Sequence, residues 1–117
     1  ASPEKPVVAL CGDGGLMFNV QELATAALYN IGDVAVVFND EAFGNVLRDQ
    51  KNRFNGREYG PRLKNPDFMN LADAFGISVT RVEGQDPVKL QTAIEDAIEA
   101  GGPSLIEVPV GEMPYPY

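Results

Sequence analysis

Pro6-Val7-Val8-Ala9-Leu10-Cys11-Gly12-Asp13-Gly14-Gly15 is the stretch on which the reading of this chain turns. It begins as a continuous apolar run rich in β-branched residues and breaks on glycines that flank one carboxylate. Runs of this kind read as strands buried on both faces of a parallel sheet. Asn19 then starts a helix, with Glu22 three residues on at the capping-box spacing. Val20, Leu23, Ala24, Ala27 and Leu28 fall on one helical face. Asn30-Ile31-Gly32 stops that helix, and Val34–Phe38 is a second buried strand that runs into Asn39-Asp40. Residues 7–39 therefore form a βαβ unit, whose crossover is expected to be right-handed. Open α/β sheets bind ligands outside the carboxyl ends of their strands. The unit puts Asp13 and Asp40 there, on adjacent loops. Magnesium takes about six oxygen ligands, some of them from bound phosphates, so two neighbouring carboxylates suit one hard cation.

The rest of the chain continues the alternation. Ala42–Gln50 reads as a helix, and residues 49–63 as a polar, mobile segment punctuated by Gly56, Gly60 and Pro61. Pro66–Phe75 is a helix closed by Gly76, and Ile77–Val82 a third strand. Asp86-Pro87 supplies an N-cap with proline at the first helical position. Leu90, Ala93, Ile94, Ala97 and Ile98 form the apolar face of that helix, and Gly101-Gly102-Pro103 ends it. Ser104–Val110 is the fourth strand. Strands alternating with helices predict a doubly wound α/β fold, a parallel sheet with helices on both faces.

Composition narrows the function. A chain of 117 residues with 44% apolar content is one globular domain with a real core. The net charge of −8 argues against a nucleic-acid or anionic-membrane partner. A single cysteine, Cys11, excludes an internal disulfide and points to an intracellular, cytoplasmic setting. It reads as a small buried apolar residue. No run approaches the roughly 18 apolar residues of a membrane span. Six of the nine basic residues, Arg48, Lys51, Arg53, Arg57, Arg62 and Lys64, fall between positions 48 and 64. They read either as a solvated loop or as a lid facing an acidic substrate. No histidine is present to serve as an acid or base.

Gly12-Asp13-Gly14 and Asn39-Asp40, with 24 residues between them, resemble the thiamine-diphosphate fingerprint, a GDG followed after about two dozen residues by NN. Val8–Arg48 as a whole resembles the diphosphate-binding domain of the acetolactate synthase/benzoylformate decarboxylase family. Asn65-Pro66-Asp67-Phe68, Leu71–Gly76 and Gly102–Val108 resemble it too. The resemblance implies thiamine diphosphate and Mg²⁺ as cofactors. It implies Asp13, Asp40 and the Ala42 carbonyl as metal ligands, and Gly12, Asp13, Gly14, Gly15, Asp40, Ala42, Phe43 and Gly44 as the cofactor-binding set. Gly15 stands where many members have serine, and Asp40 where they have asparagine. The first change removes a hydroxyl; the second adds a negative charge. The family's chemistry is decarboxylation or carboligation of 2-oxo acids, with aldehydes as further substrates, in oligomers that hold the cofactor between subunits. Residues 1–117 are expected to be part of one such domain, a fragment of a longer chain. The activating glutamate of the family lies in an N-terminal domain, so no catalytic residue is assigned here. A homo-oligomer is expected, as is inactivity of the chain on its own.

Overall fold

The computed structural model describes residues 5–112. The two ends on which the fragment expectation rests, Ala1–Glu4 and Met113–Tyr117, lie outside the described residues. Four parallel strands, β1 (Val7–Gly12), β2 (Asp33–Asn39), β3 (Ser78–Arg81) and β4 (Ser104–Pro109), form one sheet in the order β1-β2-β4-β3. The intervening helices are α1 (Asp13–Met17), α2 (Glu22–Tyr29), α3 (Gly44–Arg53), α4 (Phe68–Phe75) and α5 (Pro87–Ala100), and a 3₁₀ turn spans Glu83–Gln85. This is the expected α/β architecture.

The alternation of side chains along β2 builds two cores. Ala35 and Val37 point to one face and pack with Leu23 of α2, Phe68 and Ala72 of α4, Ile77 and Leu105. Val34 and Val36 point to the other and pack with Ala93 of α5, Val82, Ile106 and Val108. A strand buried on both faces cannot alternate apolar with polar, which is why β2 reads as an unbroken apolar run. The helix ends follow their local chemistry. Asp86 accepts from the amides of Val88 and Lys89 at 2.9 and 3.3 Å, capping α5 ahead of Pro87. Asp67 accepts from Met69 and Asn70, capping α4. Gly76 ends α4 at φ +70°, a conformation that favours glycine.

Four expectations are corrected. Asp13-Gly14-Gly15 is not a loop but the first turn of α1, because β1 runs to Gly12 and the chain turns helical at once. The helix after it begins at Glu22, and Asn19 forms no capping box. The Glu22 carboxylate instead accepts from Thr25 Oγ1 at 3.2 Å. The helix spans only 22–29, so the expected apolar stripe is only partly used and Leu28 is 75% exposed. Third, β1 is not buried on both faces. Among the described residues it pairs with β2 alone, stands at the sheet edge, and leaves Leu10 68% exposed. Residues 49–53 also belong to α3 rather than to the polar segment that follows.

Removing Leu105, fully buried between the sheet and α4, should cost about 3 kcal/mol as Leu105→Ala, whereas Leu28→Ala should cost less than about 0.5 kcal/mol. Urea midpoints at constant slope decide it; equal losses would contradict the core assignment. A second expectation concerns pH. The Asn70 amide above all, with the Met69 amide and Arg81, holds the Asp67 carboxyl below the usual carboxylate range. Stabilisation from a depressed carboxyl is complete above the unfolded value of about 3.9 and is lost as pH falls through the lower folded value. Asp67→Asn should therefore lower stability at neutral pH and flatten the acid limb, the two curves converging below the folded value; denaturant midpoints followed from neutral to acid pH check it.

Candidate functional site

Asp13 and Asp40 meet at the carboxyl ends of β1 and β2. Register explains the meeting: Gly12 is the partner of Phe38, so the residues just beyond each leave the sheet side by side. Asp13 is 1% exposed. The Asp40 carboxyl is pushed above the usual carboxylate range, first by burial and then by the negative charge and contact of Asp13, with the Ala42 amide pulling the other way. That amide donates to Asp40 Oδ1 at 3.2 Å, so Asp40 folds over the turn that follows it. The turn is tight enough to hold Glu41 at φ +55°. Ala42 is buried and forms a single antiparallel bridge with Arg62, flanked by Phe43 N to Pro61 O at 2.7 Å and Leu63 N to Glu41 O at 2.8 Å. Segment 61–63 is thereby tied to the site.

Gly14 explains how the first turn of α1 packs against the turn after β2. A Cβ on it would lie 2.6 Å from Phe43 Cε1 and 3.1 Å from a Leu63 methyl, whereas a Cβ on Gly15 or Gly12 would meet nothing within 4 Å. Only glycine lets the Phe43 ring lie against the first turn of α1. That ring also stacks on Phe18, with centroids 6.3 Å apart and planes 24° from parallel. The amides of Gly14 and Gly15 lie in the first turn of α1, where N–H groups have no intrahelical acceptor. Gly12, Asp13, Gly14, Gly15, Asp40, Ala42, Phe43 and Gly44 all line one cavity of about 310 Å³, with Asn45, Val46 and Val110. The whole set expected from the sequence is thus brought together. Among the described residues no ion pair includes Asp13 or Asp40. Two adjacent carboxylates, backbone amides and a concave wall suit a cation that also binds an anionic group.

Three residues of this region carry no role in the sequence reading. Asn65 Nδ2 donates to Asp13 Oδ2 at 2.5 Å and to Asn39 Oδ1 at 2.9 Å. Asn39 Nδ2 donates to Glu107 Oε1 at 2.8 Å, and Glu107 accepts from Arg81 Nε at 2.7 Å. Glu107 is only 3% exposed. Asn39 and Asn65 stand within the stretches that resemble the family, but no spacing rule joins positions so far apart. The basic cluster is mostly engaged: Arg48 with Asn45, Lys51 with Glu58 and Glu112, Arg53 with Asp49, Arg57 with the Phe54 carbonyl and Arg62 with Glu58. Burial raises the Cys11 pKa, and its thiol donates to the Val36 carbonyl at 3.4 Å, consistent with a packing role.

Against known proteins, residues 1–108 match the family model for the thiamine pyrophosphate enzyme, C-terminal TPP binding domain. The chain belongs to that family. It is 38% identical over 108 residues to the mitochondrial acetolactate synthase catalytic subunit of Aspergillus candidus, covering 92% of this chain and 15% of that protein. It is 35% identical over 108 residues to a probable acetolactate synthase large subunit of Methanococcus aeolicus, covering 92% of this chain and 18% of that protein. Among solved structures it resembles benzoylformate decarboxylase from Polynucleobacter necessarius with a TM-score of 0.84 at 28% identity, over 97% of this chain and 21% of that one. The chain therefore spans about a fifth or less of the length of the proteins it matches.

The Gly14 contact yields a pair of expectations. Gly14→Ala should destabilise by about 1–3 kcal/mol through overpacking against Phe43, and Gly15→Ala should be within about 0.5 kcal/mol of the parent. Phe43→Leu should recover part of the Gly14→Ala loss in a double-mutant cycle, measured by denaturant unfolding; additive losses would refute the contact.

Proposed function

We propose that this chain is the diphosphate- and Mg²⁺-binding part of a thiamine-diphosphate-dependent enzyme that acts on 2-oxo acids, of the acetolactate synthase kind. The observation that carries the reading is the pair of adjacent carboxylates, Asp13 and Asp40, in one cavity at the strand ends of a family member. In this reading Asp13 and Asp40 supply carboxylate ligands and Ala42 its carbonyl. Gly12, Gly14, Gly15, Phe43 and Gly44 surround the diphosphate, with the Gly14 and Gly15 amides donating to it. Bound thiamine diphosphate supplies the electron sink for cleaving or forming a bond next to the substrate carbonyl. The chain's own part is to fix the charged end of the cofactor and bring a cation's charge to it. The structural neighbour named as a decarboxylase supports a second reading, 2-oxo acid decarboxylase or aldehyde lyase, which uses the same anchor.

The parent is an oligomer that holds the cofactor between subunits, works in the cytoplasm, and takes small 2-oxo acids or aldehydes rather than nucleic acids or membranes. No described helix is long and apolar enough to cross a membrane.

Calorimetry with thiamine diphosphate should show binding that needs Mg²⁺ and is lost in Asp13→Ala; NAD in the same cell should give no heat. Mg²⁺-independent binding, or retention in Asp13→Ala, would overturn the ligand assignment. The chain by itself should release no carbon dioxide from pyruvate at saturating cofactor and Mg²⁺, since the two carboxylates that line the cavity, Asp13 and Asp40, serve as cation ligands in this reading. Turnover abolished by Asp13→Ala would show that reasoning to be wrong.

A further inference from the structure

Both side-chain amide hydrogens of Asn65 are committed. One goes to Asp13 Oδ2 and the other to Asn39 Oδ1, and a primary amide has only two. The acceptor role of Asn39 Oδ1 turns the Asn39 amide nitrogen toward Glu107 Oε1. Glu107 Oε2 then takes the Arg81 Nε hydrogen. Donors and acceptors alternate without conflict from β3 to the first residue of α1: Arg81, Glu107, Asn39, Asn65, Asp13. The far end is also fixed. Arg81 and Glu107 are register partners on neighbouring strands, and Arg81 approaches Asp67 Oδ1 at 3.6 Å. Asp67 caps α4 two residues after Asn65, so the segment that carries Asn65 is clamped from both sides.

We propose that Asn65 is a positioning residue for Asp13. It holds one carboxylate oxygen and so fixes the Asp13 side chain beside Asp40, where the two repel each other when nothing cationic lies between them. The inference rests on the assignment of Asp13 as a cation ligand. The residue type is informative. A lysine or arginine in this place would orient Asp13 but neutralise it and compete with a cation. An amide orients the carboxylate and leaves its charge intact. Outer partners of metal ligands commonly change metal affinity by about 10–100-fold when removed.

The test separates positioning from simple stability. Mg²⁺ is titrated at fixed thiamine diphosphate for the parent chain, Asn65→Leu and Arg81→Met. Asn65→Leu keeps the side-chain volume and removes both donors. Arg81→Met cuts the far end of the network and spares the Asn65–Asp13 contact. Asn65→Leu should weaken apparent Mg²⁺ affinity by about tenfold while thiamine diphosphate affinity at saturating Mg²⁺ stays within about twofold. Arg81→Met should lower the melting temperature without moving Mg²⁺ affinity. An Mg²⁺ affinity unchanged in Asn65→Leu, or changed as much in Arg81→Met, overturns the proposal. If the parent chain binds no cofactor, the functional reading fails and the bridge is decided in the free chain by NMR. There the two Asn65 Nδ2 protons should be well separated and slow to exchange, should lose this in Asp13→Ala and should keep it in Asp40→Ala. Free-amide exchange in the parent, or no response to Asp13→Ala, overturns the bridge.

Discussion

The C-terminal edge of this sheet must accommodate two carboxylates that water hardly reaches, Asp13 at 1% and Glu107 at 3% exposure. Burying a charge is costly unless it is paired and hydrogen-bonded. The molecule meets that constraint in two different ways. Glu107 has a full counter-charge in Arg81 and a second donor in Asn39, so its burial is a closed structural arrangement. Asp13 has a neutral donor in Asn65 and a like-charged neighbour in Asp40. Only the second arrangement keeps negative charge in excess. The same end of one sheet thus holds a compensated carboxylate that ties strands together and an uncompensated pair that suits a cation.

Much of this was legible in the sequence, and for physical reasons. The unbroken apolar run of β2 required two covered faces, and Asp86-Pro87 and Gly76 marked helix ends through capping chemistry that works locally. Asp13 and Asp40 could be placed because parallel strands end on the same side. What failed was local detail decided by neighbours. Asn19 had the right residue at the right spacing for a capping box. The chain instead leaves α1 in a turn, with Glu22 N donating to Asn19 O at 2.9 Å, and α2 starts later. β1 had the composition of a strand covered on both faces and leaves Val7 and Leu10 exposed, because composition shows that side chains need cover but not what supplies it. Asn65 and Glu107 were invisible as site residues because their partners are 52 and 68 positions away along the chain, at Asp13 and Asn39.

The exposed side chains fall into a pattern. Val7, Val8 and Leu10 of β1 with Leu28, Tyr29 and Ile31 after it are open to solvent, while β2 and β4 are nearly sealed. An edge strand with apolar side chains presents unpaired N–H and C=O groups together with apolar surface, a combination soluble proteins usually avoid. The net charge of −8 opposes association only through repulsion that salt screens within about 8 Å at physiological ionic strength. The charged side chains gather instead around α3 and the segment after it, where Lys51, Glu58, Arg62 and Glu112 pair with one another. Such exposed pairs add little stability individually.

The shape of the site depends on a missing side chain as much as on those present. Gly14 lets Phe43 close against α1, and Phe43 begins the turn that leads into α3, whose Leu47 is almost fully buried. Phe43 is in turn fixed by the Pro61 carbonyl, and Glu41 by the Leu63 amide. The end of β1, the end of β2 and the returning segment at 61–63 are therefore one mechanical unit. A movement of any of the three changes the distance between Asp13 and Asp40. Asn65 lies two residues beyond Leu63 in the same returning segment, so the piece of chain that sets the Ala42 turn also carries the donor that holds Asp13. The two carboxylates are thus positioned from one common support rather than independently. That is the condition under which a pair of like charges can be held close enough to share a ligand.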